Sequence, residues 1–431
     1  MRIRSDRKHI ARPRSGNLRP LLLLLAVAAV SVGIFLLFLL PDAAASEEFP
    51  HYTPEELPQM RLHIEEADWQ KIGRKRAQAL ATGILQAGDS DRVKCHMTFD
   101  GVDYEGRMRL KGDWVDHLRG RKWSYRISIR QGQSWNRLLT FSLMTPEARD
   151  FLHEWMFHRI LQREGILSPR YGYLQLNING KSYGMYAWEE HFEKQLVESA
   201  KRREGPILKY DEDPLWEIRQ REVRSACAFK DEEVISTASA ITAFKENRLR
   251  ENPSLRRALA AGRHLMQQYR AGTQPPSRIF DVDMLGRFLA IADLTRTYHG
   301  LIWHNQRFYY NPITGRLEPI GFDGDTGGAA RYLLKVPFIG MGEDEDRRFP
   351  RNNALVRQLF EDPAVRAAYR KHVERFCEAK WLEDLLADLG KELEKYEALI
   401  GREFPGYRYD AAFLQDNIIL LRKALAEGGV E

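Results

Sequence analysis

Short alternating runs of hydrophobic and polar residues fill the first half of the chain, and this pattern predicts β-strands. Two of the runs flank Asp100-Gly101, and two others flank Asn179-Gly180. Both dipeptides are typical of tight hairpin turns. The predicted strands are residues 93–98, 104–110, 122–130, 138–143, the hairpin 171–188, and 207–210.

In the second half, the hydrophobic residues adopt the spacing of amphipathic helices. One helix is predicted earlier, over 146–164, and another over 190–204. The long helical stretches are 230–300, broken at 271–277, and 352–431, broken near Pro405-Gly406; two strands, 307–311 and 317–322, lie between them. A β-rich front half followed by a helical back half predicts an α+β fold of two lobes with a cleft between them.

Residues 21–40 are almost entirely apolar and carry no charge, and at about 1.5 Å per residue they match a bilayer core of about 30 Å. Seven of the eight charged residues before this segment are basic, which predicts a cytoplasmic tail at 1–20 and a single-pass membrane protein. Residues 41–57 are predicted to be a stalk, and 58–431 an extracytoplasmic domain. The alternative is a signal peptide cleaved near residue 45, which would give a secreted protein.

The formal net charge of +6 lies entirely in the first 20 residues, so the rest of the chain is balanced. This balance argues against a nucleic-acid partner. A composition of 43% hydrophobic and 29% charged residues excludes a mainly disordered chain or a multi-span membrane protein. Cys95, Cys227 and Cys377 are too scattered for a zinc site; one disulfide and three buried thiols are both consistent with the sequence.

Two carboxylates, Asp323 and Asp325, follow the predicted strand 317–322. At the end of a strand they can bind a hard cation such as Mg²⁺, and Asn305, before the preceding strand, can add an amide oxygen. The alternative is a solvated turn, because most Asp-Gly-Asp triplets bind nothing.

The sequence places a basic residue, Lys122, on a strand and an acidic residue, Glu190, at the end of a hairpin. Protein kinases use an ion pair of this kind to position a phosphate. A second strand lysine, Lys209, is a similar candidate. A solvated lysine is the alternative reading in both cases. The chain has no GxGxxG, HRD or Walker sequence, which excludes an ordinary kinase or a P-loop enzyme.

Several short segments occur in an order that resembles the CotH family of spore-coat kinases. The similarity extends from about residue 60 to 328 and is followed by a helical tail. The segments are LKGD at 110–113, KWSYRI at 122–127, NGKSYGMY at 179–186 with Glu190 after it, HNQRFYYNP at 304–312 and FDGD at 322–325.

The resemblance implies an atypical protein-kinase fold, with a β-rich N-lobe at 58–210 and a helical C-lobe at 211–431 that holds a metal-site hairpin at 305–328. It implies ATP with Mg²⁺, or Mn²⁺ in its place, as cofactors. The implied reaction is phosphate transfer to Ser or Thr of an envelope or exported protein.

The resemblance also implies roles for individual residues. Lys122 would contact the ATP phosphates and pair with Glu190, and Lys209 would contact the nucleotide. The implied metal ligands are Asn305, which would also contact the cofactor, Asp323 and Asp325.

One departure from the family concerns the catalytic base. The Asp that usually precedes the Asn is missing here, and His299 is the candidate in its place, because its ordinary pKa suits the role. The missing Asp, together with the scarcity of ATP outside a cell, supports an alternative function as a weak or inactive binding and assembly module of the envelope. A third hypothesis is a transferase acting on envelope polymers through another phosphate or sugar-phosphate.

Overall fold

The computed structural model describes residues 49–130, 132–225, 232–324, 354–410 and 412–427. From Phe49 onward the described residues belong to one compact unit. Its strands are β1 Gln59–His63, β2 Val93–Phe99, β3 Val102–Leu110, β4 Tyr125–Ile129, β5 Thr140–Met144, β6 Tyr171–Ile178, β7 Lys181–Glu190, β8 Ile207–Tyr210, β9 Ile241–Ala243, β10 Arg307–Asn311 and β11 Arg316–Ile320.

The first seven strands form a closed barrel in the order β1-β2-β3-β4-β5-β7-β6. Neighbouring strands are antiparallel, except that β6 runs parallel to β1, where Met60 pairs with Leu176. This parallel pairing closes the barrel and leaves no open edge among these strands. The other four strands make an antiparallel sheet in the order β11-β10-β8-β9.

Alternate residues of the barrel strands face two different cores, as the two-residue period of a strand requires. Met60 and Leu62 of β1 lie in the core inside the barrel. In β7, Tyr186 also belongs to this core, whereas Met185 and Ala187 belong to the core formed with the helices. The barrel wall therefore separates two hydrophobic cores.

The helices are α1 Glu66–Thr82, α2 Leu152–Arg163, α3 Lys194–Ser199, α4 Asp213–Ser225, α5 Glu232–Ala238, α6 Glu246–Glu251, α7 Pro253–Ala271, α8 Pro276–Ile279, α9 Val282–Thr295, α10 Ala354–Glu361, α11 Pro363–Phe376, α12 Ala379–Glu403 and α13 Phe413–Ala426. Most of the helices cover the second core, whereas α1 packs Ile72 and Ala79 into the barrel core and α3 packs Leu196 into a third cluster. Helix α9 lies at the centre, in contact with α2, α11, α13 and β11. Its N-terminus is capped by the Asp281 carboxylate, which accepts a hydrogen bond from the Met284 N–H at 3.0 Å.

Most of the individual elements are confirmed, because turn dipeptides and hydrophobic spacing define them locally. Both predicted hairpins form, as β2–β3 and β6–β7. The strands β8 and β10 have the predicted bounds. Cys95 and Cys377 are buried free thiols, and Cys227 lies outside the described residues.

The expected two-lobed kinase-like arrangement after a membrane helix is wrong. The front strands do not form a separate β-rich lobe; seven of them close into a barrel within one compact unit. The hairpin signals in the sequence show which consecutive strands pair. They cannot show the parallel pairing of β1 with β6 that closes the barrel.

The expected single-pass membrane protein is also corrected. Among the described helices, none is both long and apolar enough to cross a membrane. The longest, α12, has 25 residues but carries charged side chains along its whole length. The predicted span at 21–40 and the tail at 1–20 lie outside the described residues.

Candidate functional site

Residues 321–324, which include the first three residues of the FDGD segment, follow β11 and lie between helix α2 and Thr297. A Cβ atom on Gly321 would overlap the Leu161 side chain of α2. A Cβ on Gly324 would lie 2.6 Å from the Thr297 side chain and 3.0 Å from Phe157 of α2. The segment is therefore held from both sides, and glycine is required at these two positions.

Asp323 lies between these glycines and is buried. Its φ of +54° is in the left-handed region, which is uncommon for a residue with a side chain. The carboxylate forms an ion pair with Arg149, and its Oδ1 lies 3.5 Å from His299 Nδ1. Burial would raise the pKa of Asp323, but the attraction of Arg149 and then of His299 outweighs it and holds this pKa well below its ordinary value. Asp323 is therefore a fixed negative charge at neutral pH.

Arg149 reaches Asp323 from a short 3₁₀ turn that precedes α2. The next two residues, Asp150 and Phe151, have φ values of 48° and 53°, which a bulky side chain rarely adopts. This backbone turns the chain sharply into α2 and leaves Arg149 at the Asp323 carboxylate. Burial would lower the pKa of Arg149, but the carboxylates around it, Asp323 above all, raise it, so the guanidinium stays charged.

His299 adjoins the same carboxylate, and Asn305 contacts His299. His299 Nδ1 lies 3.0 Å from the Asp323 backbone oxygen, and Asn305 Nδ2 donates to the His299 backbone oxygen at 3.1 Å. Burial would lower the pKa of His299, but Asp323 raises it above its ordinary value. With 30% of its side chain exposed, His299 can still be reached from solvent.

A second buried ion pair joins the barrel to this group. Lys111 follows β3, and its Nζ lies 3.5 Å from Glu189 Oε2. Burial lowers the pKa of Lys111 to about 8, although the nearby Glu189 carboxylate opposes the shift. The charges of Arg149 and Asp323 also act on this pKa, which indicates that the two ion pairs are neighbours. We call Lys111, Arg149, Glu189, His299, Asn305 and Asp323 the central cluster.

Helix α2 supports the FDGD backbone through a polar contact as well. The Glu154 carboxylate accepts a hydrogen bond from the Gly324 N–H, at 3.1 Å for Oε2. His158, one turn further along α2, places its Nε2 3.2 Å from Glu154 Oε1. Burial would raise the pKa of Glu154, but His158 lowers it below the ordinary value. Glu154 therefore stays charged although it is fully buried.

A comparison with known protein families identifies the chain. Residues 108–416 match the family described as CotH kinase protein, which is well over half of the 431 residues. The chain belongs to the CotH family. The match includes every residue of the central cluster and confirms the resemblance found in the sequence, though not a membrane-anchored form. No curated protein matches the chain.

Two residues expected from the CotH resemblance have partners outside the central cluster. Lys122 Nζ donates to the Met185 backbone oxygen at 2.5 Å and forms an ion pair with Glu403 at the end of α12. The Glu190 carboxylate instead accepts hydrogen bonds from the Arg170 guanidinium at 2.9 and 2.7 Å. The predicted Lys122–Glu190 pair is therefore not formed.

Of the remaining predicted residues, some lie in the central cluster and others do not. Asn305, Asp323 and His299 come together in the central cluster. Lys209 Nζ lies 3.6 Å from Glu212, which also pairs with Arg307 at 3.4 Å. Asp325 lies outside the described residues.

Sequence reasoning missed three members of the central cluster. Lys111 stands in the LKGD segment that supported the CotH resemblance, so a signal was present. Glu189 could have been found from strand alternation, because it faces the same side of β7 as Met185 and Ala187, whereas Glu190 faces the opposite side. Arg149 had no signal, because the unusual backbone after it determines its position.

The site does not coincide with the surface hollows of the barrel. One hollow of about 700 Å³ lies against β2 and β3, lined by residues that include His96, Asp103 and Arg130. These side chains form no buried charged cluster comparable with that around Asp323. We therefore place the chemistry at the central cluster.

Proposed function

We propose that this CotH-family protein is a protein kinase that transfers the γ-phosphate of ATP to Ser or Thr of another protein. One observation carries the proposal: the buried Arg149 pairs with the Asp323 carboxylate beside the accessible His299, and a second buried cation, Lys111, is near enough for Asp323 to act on its pKa. Phosphoryl transfer requires mainly positioning and positive charge near the phosphate oxygens. The family membership supports this reaction type. The envelope or exported nature of the substrate stays a prediction.

The donor atoms at Asp323 and Asn305 fit a magnesium ion, with manganese as its substitute. Mg²⁺ takes oxygen ligands and keeps several waters, so one or two protein ligands suffice. Asp323 Oδ1 makes ion pairs but no hydrogen bond, and Asn305 offers an amide oxygen. These two residues would hold the ion, which when bound offsets the negative charge of the phosphates. Asp325 stays a prediction as a further ligand.

His299 is the proposed base. Its Nδ1 faces the Asp323 backbone oxygen at 3.0 Å, so the tautomer protonated at Nδ1 is favoured and Nε2 can accept a proton. The substrate hydroxyl gives its proton to Nε2 as its oxygen bonds to the γ-phosphorus. The bond from that phosphorus to the β-phosphate oxygen breaks, and ADP leaves. His299 thus serves in place of the Asp that the family usually has.

A second candidate function is a binding and assembly module without turnover. The observation that favours it is that the two ion pairs, Lys111–Glu189 and Arg149–Asp323, already satisfy each other's charge. A site built only to bind a partner or a nucleotide could use the same residues.

The test is incubation of the purified full chain with Mg²⁺ and ATP labelled at the γ-phosphate, with casein as a general acceptor. We expect label on Ser or Thr, strict dependence on the divalent ion, and a strong loss for His299→Ala. A parallel thermal-shift assay measures binding, because a ligand of the folded state raises the melting temperature. Stabilisation by ATP with no transferred label would favour the binding module, and no response in either assay would contradict both the kinase and a nucleotide-binding module.

A further inference from the structure

Beside the central cluster, three buried side chains direct donor atoms at one another. They are Glu154 and His158 of α2 and Glu189 of β7. One donor atom from each residue lies within 4.8 Å of the other two. All three residues are at most 1% exposed, so water does not serve as their ordinary partner.

Hydrogen bonds do not satisfy this group. His158 Nε2 lies 3.2 Å from Glu154 Oε1 without hydrogen-bond geometry, and His158 Nδ1 and Glu189 Oε1 have no hydrogen bond. Leaving such a buried atom without a partner costs about 1–3 kcal/mol, so native structures rarely do so. One ring nitrogen of His158 and one carboxylate oxygen each of Glu154 and Glu189 lie within 4.8 Å of one another. A cation between these three atoms would give each of them a partner.

We propose that Glu154, His158 and Glu189 bind one divalent transition-metal ion of the zinc type. One imidazole nitrogen and two carboxylate oxygens form a ligand set that Zn²⁺ accepts and that Mg²⁺, which prefers oxygen alone, does not. Metal–ligand distances of about 2.0–2.2 Å in a tetrahedron place two ligand atoms about 3.3 Å apart. The 3.2 Å between His158 Nε2 and Glu154 Oε1 agrees with this value.

The surrounding contacts are compatible with such an ion and give it a structural role. The Gly324 N–H lies closer to Glu154 Oε2, at 3.1 Å, than to Oε1, at 3.4 Å. Glu189 Oε2 faces Lys111, and Glu189 Oε1 has no hydrogen bond. The ring of His158 stacks on Tyr171 at 5.3 Å, which fixes its orientation. The ion would connect α2, β7 and the FDGD backbone. Its ligands differ from those proposed for Mg²⁺, so this site stands whether or not the chain is a kinase.

The test measures the metal content of the full chain, purified without a polyhistidine tag and gel-filtered in excess Mg²⁺. We expect about one equivalent of transition metal per chain by elemental analysis. His158→Gln should lose it. His153→Gln is the matched control, because His153 is also buried on α2 with an unpartnered Nε2 but lies outside the ligand set; this variant should keep the metal.

Refolding the wild type in the presence of Co²⁺ gives a second readout that does not depend on how any variant folds. A site with nitrogen and oxygen ligands in a tetrahedron should give visible absorption bands that Zn²⁺ abolishes. A wild type with neither bound metal nor cobalt bands would overturn the proposal. So would metal retained by folded His158→Gln, or lost equally from His153→Gln.

Discussion

Two lysines on the same stretch of the barrel form buried ion pairs with glutamates, but their surroundings differ. Lys122 contacts Glu403 closely, donates to a backbone oxygen at 2.5 Å, and lies within 6 Å of the rings of Phe49, Tyr186 and Phe404. Lys111 lies 3.5 Å from Glu189, a loose contact for a charge-assisted hydrogen bond, and its other neighbours include Arg149 and Asp323.

Both lysines are buried, so burial alone does not show which of them has a functional role. The hydrogen-bonding capacity of Lys122 is used in joining the end of α12 to the barrel, so its role is structural. Lys111 keeps donor capacity and faces a group of charges at the end of β11. If the proposed kinase function holds, Lys111 would contact the phosphate, whereas Lys122 fastens α12 to the barrel.

The largest effect on stability is expected for Lys122→Met. Glu403 would stay buried without its partner, and breaking a buried pair in this way costs about 3–5 kcal/mol. Chemical denaturation measures the loss. Because Lys122→Met/Glu403→Met removes both charges, it should recover much of the stability. A Lys122→Met variant as stable as the wild type would contradict the structural role of Lys122.

The largest effect on catalysis is expected for Lys111→Met. Removing a cation from the site of phosphoryl transfer should lower kcat/KM by about 100-fold or more. The free energy of unfolding should fall less than for Lys122→Met, because Glu189 still attracts Arg149. Steady-state kinetics and denaturation on the same preparations give both numbers. Lys181→Met, at an exposed position on β7, is the control and should match the wild type; an active Lys111→Met would refute the assignment.

Variants of Asp323 and His299 should have different effects on nucleotide affinity and on turnover. Asp323→Asn removes the charge that would hold the metal, so Mg·ATP affinity should fall by about tenfold, equal to about 1.4 kcal/mol. His299→Ala should keep this affinity and lower kcat, because a base acts only in the transfer step. Calorimetry and initial rates distinguish the two. Equal losses of affinity in both variants would contradict the separation of roles.

The sequence predicted the features whose signals lie within a few neighbouring residues, and it did not predict those that depend on distant contacts. The Asp-Gly and Asn-Gly turns located both hairpins, and hydrophobic spacing located most helices. The site was predicted in part, because Asn305, His299 and Asp323 belong to one continuous stretch around the β10–β11 hairpin. The partner of Lys122 was not predictable, since Glu403 is 281 residues away. The position of Arg149 depends on two positive φ values that no residue type there indicates.

The smallest effect is expected at the ion pairs that join α9 to α11. Asp283 of α9 contacts Lys371 at 2.7 Å, His372 at 3.0 Å, and Arg287. Burial would raise its pKa, but these donors hold it well below the ordinary value. The resulting stability is present above the unfolded-state pKa of about 3.9 and is lost as pH falls.

Asp283→Asn should therefore be less stable than the wild type at neutral pH, by no more than about 1 kcal/mol because the carboxylate is partly exposed. The difference should shrink below about pH 4. Urea denaturation across a pH series measures it. A difference that stays constant with pH would show that the lost contact is not ionic.

The most direct test of the central claim is a calorimetric titration of Mg·ATP into the wild type, Lys111→Met and Lys122→Met, each below its melting temperature. The account predicts that Lys111→Met binds at least about tenfold more weakly, whereas the folded Lys122→Met binds like the wild type. Normal binding by Lys111→Met together with lost binding by folded Lys122→Met would contradict it.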